Sequence, residues 1–251
     1  MTNTALKFNN VSPMPGLTVL EFPVQREQPE PPRTTSPLKS NGVKKATPAD
    51  PIKDPADIKR VQEYFLSRDE IRNYTLFTLG VSFMLRIGDL LSITFGDIYT
   101  GRGEPKSAFT IRERKTKKAN KIAVNSKCQK ALRKYYKWVT FELGGYPDSD
   151  EPLFFSKTSQ NGELKAISTS MVDKILRRVQ RDLQLPDHLS SHSLRKTMVY
   201  HTIKNNNYDP STLYLLQRML NHSDQRITFR YCGIEEEAIA ELREGMADML
   251  L

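Results

Sequence analysis

Between Ser190 and Tyr231 the chain gathers residue types that handle phosphate. His192 and Arg195 stand three apart, one helical turn, so their side chains share a face. His222 follows 27 residues after Arg195, and Tyr231 follows nine after His222. Two histidines, an arginine and a tyrosine form a poor metal set but a good one for a phosphodiester. A guanidinium neutralises the charge that builds on a phosphoryl group, imidazole donates hydrogen bonds to it, and a phenol oxygen can attack it. Tyr200, Tyr208 and Tyr214 are rivals by type, but none follows a histidine at that interval. His201 lies off the face of His192 and reads as structural, while His188 sits in a proline-containing loop and reads as a surface residue.

Elements must bring these residues together. The chain has 251 residues, 38% of them hydrophobic, enough for one medium domain or two small ones. Its net charge of +9 suits a polyanionic partner, nucleic acid above all, although a merely soluble basic protein has the same balance. Cys128 and Cys232 are too few for a disulfide framework or a zinc cluster and point to a reducing, cytoplasmic setting. Met1–Asn10 lacks the basic and apolar regions of a secretory signal. No uncharged run exceeds the 13 residues of Asn73–Leu85, too short to span a bilayer, so no membrane is expected as a partner.

Residues 1–53 are proline-rich and poor in apolar groups, and they read as a mostly disordered arm. From Asp54 the pattern turns helical. Asp54-Pro55 is a cap followed by proline at the first helical position, and Ser67 with Glu70 forms a capping box for the next helix. A short helix is expected at Asp89–Leu91 and a strand at Thr94–Tyr99. Ala108–Arg114 and Lys121–Asn125 bracket a lysine-rich turn and read as an antiparallel hairpin. Helices are expected near 126–143, 168–183, 192–205, 211–221, 224–231 and 235–250. Trp138 with Tyr135 and Tyr136 reads as packing along one of them. The expected class is α+β, mainly α-helical, with a small antiparallel sheet.

In this order the segments resemble the catalytic domain of the tyrosine recombinase, or phage integrase, family over residues 54–251. Phe83-Met84-Leu85-Arg86-Ile87-Gly88-Asp89-Leu90-Leu91 is similar to the segment carrying that family's first catalytic arginine, and Phe95-Gly96-Asp97-Ile98 to the strand that comes after it. By this likeness Arg86 is the first arginine and Asp89 its acidic support. Arg114-Lys115-Thr116-Lys117 matches the hairpin turn of the catalytic lysine, with Lys115 the choice and Lys117 and Lys118 competing. His192 and Arg195 match the H-x-x-R box, and Leu220-Asn221-His222 matches a leucine-glycine-histidine segment, with asparagine where glycine is usual. Tyr231 matches the nucleophile, with a C-terminal helix after it. The separate N-terminal core-binding domain that recombining members carry has no recognisable counterpart here.

The resemblance implies a site-specific recombinase or integrase. Tyr231 would form a covalent 3′-phosphotyrosyl link, Arg86, Arg195 and His222 would hold the phosphate, and Lys115 would protonate the leaving oxygen. His192 would take the tyrosine proton or position the phosphate. No cofactor and no metal are called for. The partners implied are duplex DNA and further copies of the chain, which the last helix engages either in trans or by packing on its own domain in cis. Two other readings stay open: a recombinase-derived DNA-binding regulator without productive strand exchange, and a type IB topoisomerase. Two basic stripes, Lys127, Lys130, Arg133, Lys134 and Lys137, then Lys174, Arg177, Arg178 and Arg181, suit phosphate tracking or a solvated face equally.

Overall fold

The structure is a computed structural model that describes residues 49–156, 164–222, 224, 228 and 234–247. The Pro-rich segment before residue 49 lies outside the described residues, and so does Tyr231. No helix among the described residues is long and apolar enough to cross a membrane.

Helix α1 spans Pro55–Ser67, with the Asp54 carboxylate accepting from Ala56 N at 2.8 Å and Pro55 opening the first turn. Ser67 does not cap the next helix. It stays inside α1 and donates to Tyr64 O, while Glu70 accepts from Asn73 and Arg178. Helix α2, Ile71–Phe83, therefore begins without a side-chain cap and is held by burial instead. It packs against α1, against α5 (Ser126–Leu143) and against α7 (Ser191–Asn205). At Gly80 a Cβ would stand 2.7 Å from Leu194 Cδ1, so glycine allows α2 and α7 to approach closely.

Helix α3 is Ile87–Leu90 and α4 is Phe95–Ile98. The strand expected at Thr94–Tyr99 is thus replaced by a helical turn. Thr94 Oγ1 accepts from Asp97 N at 3.2 Å and Asp97 Oδ2 from Thr94 N at 2.9 Å, a reciprocal cap that outweighs the β-branched pattern. The hairpin forms as β1, Ala108–Arg112, and β2, Ala119–Ala123, antiparallel with Phe109 opposite Ile122. The remaining helices are α6, Thr169–Leu183, α8, Pro210–Met219, and α9, Glu235–Ala247. The helix expected at 224–231 falls largely outside the described residues. The architecture is mainly helical with one small antiparallel sheet, as expected.

Two apolar clusters organise these elements. The larger joins α1, α2, the hairpin, α5 and α6, and the smaller joins α7 and α8 with Met84 and Ile234. Met84 and Leu85 are neighbours in sequence, yet Met84 enters the smaller cluster and Leu85 the larger. Met84 makes this possible by taking φ 52°, a left-handed conformation that costs an L residue about 1–2 kcal/mol. Arg86 consequently emerges at the seam. Residues 49–53, assigned to the arm by composition, run against α7: Ile52 N donates to Thr197 Oγ1 at 3.0 Å, and Ile52 O bonds His201 Nε2 at 2.9 Å. His201 is a packing residue in this structure.

Candidate active site

Arg86 is the residue before α3, and its Nη1 donates to Glu113 Oε2 at 2.7 Å. Its side chain remains 24% exposed, within reach of an incoming ligand. Asp89, one turn further and buried, accepts from Arg114 N through Oδ1 at 2.8 Å. This bond fastens the hairpin turn to α3. Lys115 follows Arg114 in that turn and is exposed, as are Lys117 and Lys118, so the turn presents three ammonium groups at one rim.

The second half of the site hangs on α7. Ser190 caps this helix in a reciprocal pair with Ser193, which sets where its first turn begins. His192 lies exposed in that turn, and Arg195 is one turn deeper and 3% exposed. Arg195 Nη2 donates to Leu220 O at 2.8 Å, directly before the Asn221-His222 turn that ends α8. His222 is half-buried, and its Nδ1 lies 3.0 Å from Thr228 Oγ1. Burial, then the positive charges of Arg195 and Arg86, push its pKa down to about 4, with Glu113 opposing them. A ring influenced by both guanidiniums places Arg86, Arg195 and His222 in one electrostatic neighbourhood.

Glu113 is the residue that sequence reasoning missed. Its carboxylate is 1% exposed and accepts four hydrogen bonds. Oε1 takes Asn120 Nδ2 at 2.9 Å and Asn221 Nδ2 at 2.6 Å. Oε2 takes Arg86 Nη1 and Thr116 Oγ1. Burial raises its pKa, but the bonds from Asn221, Thr116 and Asn120, with the Arg86 charge, outweigh that and hold it below the ordinary carboxylate value. A usable signal existed in the strand period: Phe109, Ile111 and Glu113 alternate onto the buried face. The charged run Arg112-Glu113-Arg114-Lys115 masked it.

Arg86 is therefore bonded to the buried Glu113 carboxylate beside the lysine-bearing turn, and Arg195 to the carbonyl two residues before His222. A model of the phage integrase family matches residues 54–237. The chain belongs to the phage integrase family. A Bacillus subtilis protein named "Probable integrase/recombinase YoeC" is 32% identical over 187 residues, covering 74% of this chain and 91% of that protein. The tyrosine recombinase XerC of Rickettsia bellii is 28% identical over 197 residues, covering 78% of this chain and 58% of its own length. Among solved structures, the XerA recombinase matches with a TM-score of 0.57 at 22% identity, over 80% of this chain and 66% of XerA. The integrase-family fold explains the order of elements around the seam. The chain spans less than two thirds of XerC and XerA, and the greater part of YoeC.

Proposed function

We propose that this chain is a site-specific DNA recombinase or integrase that cleaves and rejoins duplex DNA through a covalent 3′-phosphotyrosyl intermediate at Tyr231. The observation that carries this reading is that Arg86, through Glu113 and Asn221, and Arg195, through Leu220 O, are both bonded to the turn that holds His222, within a chain of the integrase family. Tyr231 Oη attacks the scissile phosphorus, the bond to the 5′ oxygen breaks, and the 3′ phosphate remains on the tyrosine. Because that link conserves the energy of the broken bond, attack by a 5′ hydroxyl restores the strand without ATP.

Each described residue has a part. Arg86 and Arg195 donate to the non-bridging oxygens, whose geometry a planar guanidinium matches. In this reading Nδ1 of His222 accepts from Thr228, 3.0 Å away, and Nε2 carries the proton that it donates to the same phosphate. Lys115 protonates the departing 5′ oxygen, and His192 takes the tyrosine proton or positions the phosphate. Asp89 supports the lysine turn through its bond from Arg114 N. Residues 54–251 act as the catalytic domain, and several copies assemble on DNA through α9.

A nicked suicide duplex bearing candidate sites tests the reading. Denaturing gels are expected to show a covalent protein–DNA band that Tyr231→Phe abolishes. Tight, salt-sensitive binding without that band from any site would instead support a DNA-binding regulator.

A further inference from the structure

Glu113 lies outside the residues that attack, donate to or protonate the phosphate, yet it joins the elements that carry them. We propose that Glu113, with Asn221 as its partner, is a positioning residue that sets Arg86, the Lys115 turn and His222 in register for phosphoryl transfer. This rests on the function proposed above.

One arginine would suffice to satisfy a buried carboxylate. Here both oxygens take two donors each, drawn from three separate segments: Arg86 before α3, Thr116 and Asn120 of the hairpin, and Asn221 beside His222. With its lone pairs filled, the group cannot follow one segment without straining its bonds to the others. The bond from Arg86 uses Nη1, and a guanidinium carries four further N–H groups for a phosphate. Asn221 has a particular part. Its backbone adopts φ 52°, which glycine would satisfy equally, but only a side chain can reach the carboxylate 108 positions away. Asparagine therefore adds a tether to the turn. Glu113 also supplies the negative charge that opposes the two guanidiniums at the His222 ring.

The test uses the full chain in the suicide-substrate assay at saturating DNA. Glu113→Gln, which keeps the shape but turns an acceptor into a donor, is expected to slow covalent-complex formation about 100-fold while DNA affinity changes little. Asn221→Gly keeps the turn and is expected to slow it about tenfold. Added to Glu113→Ala, which removes both acceptor oxygens, it should cost nothing more, because the tether from Asn221 is already lost. Titration of the His222 ring by NMR gives a readout that does not depend on cleavage. From about 4 in the wild type, it should move lower in Glu113→Gln.

A folded Glu113→Gln that cleaves at the wild-type rate, or additive losses in the double variant, would overturn the inference. Should Glu113→Gln fail to fold, Asn221→Gly decides, and wild-type cleavage by that variant overturns it. Should the wild type itself give no covalent band, the proposed function falls. The inference, which rests on that function, then falls with it, whereas a wild-type band with an unaffected Glu113→Gln overturns the inference alone.

Discussion

His222 enters the site as a neutral ring, because burial and two nearby guanidiniums make its cation costly. Its pKa of about 4 lies below the ordinary imidazole value of 6.5. Between those values the unfolded chain binds a proton that the folded chain refuses. The stabilisation is complete above pH 6.5 and is lost as pH falls towards 4. Urea unfolding should therefore show the wild type losing more stability than His222→Gln between pH 7 and pH 4.5; parallel losses would contradict the neutral ring. At this scale the chain was legible where chemistry depends on type and spacing, as for Arg195 and His222. Glu113 was not, because its meaning comes from partners 27 and 108 positions away, and no local pattern encodes those distances.

The hairpin and α3 act as one element through Asp89. Its buried carboxylate receives the Arg114 amide at 2.8 Å, so the turn bearing Lys115 cannot swing away from Arg86 without breaking a charge-assisted bond. Asp89→Ala should cost about 1–3 kcal/mol of stability in urea unfolding, and the amides of the turn should exchange faster with solvent. Unchanged exchange at residues 114–118 would show that the turn is held by the strands alone. A cap made one helix start readable, Asp54 before Pro55, while the structure adds Asn125 and Ser168 as caps at the expected starts of α5 and α6. The same chemistry explains the error at Thr94–Tyr99. Thr94–Tyr99, with its β-branched and aromatic residues, reads as a strand, but Asp97 stands three after Thr94 and closes a helical turn. Two rules applied to those residues, and the cap prevailed. The basic stripe on α6 also divides, since Arg178 is half-buried and drawn to Glu70, whereas Lys174, Arg177 and Arg181 are exposed.

For the whole molecule, the question is what α9 does between its own domain and a neighbour. Ile234 is fully buried, Ala238 packs on the smaller cluster, and Glu241 accepts from Lys204 and Tyr208. Spaced at 234, 238 and 241, these residues lie on one face and dock α9 in cis. Ile239, Leu242 and Met246 recur at helical spacing on another face and are exposed, Leu242 at 67%. Single exposed apolar residues are ordinary on protein surfaces, but three along one helix beside an occupied docking face make a patch suited to a second copy. The two readings of the last helix are therefore compatible, each using its own face. Leu242→Lys separates them. It should leave the melting temperature and single-copy DNA binding as they were, because the side chain makes no cis anchor, while higher-order complexes on a two-site duplex are lost in native gels. Disruption of the cis face by Glu241→Ala should instead lower the melting temperature. If Leu242→Lys destabilises the isolated chain and leaves assembly intact, the exposed face belongs to the domain itself and copies must meet elsewhere.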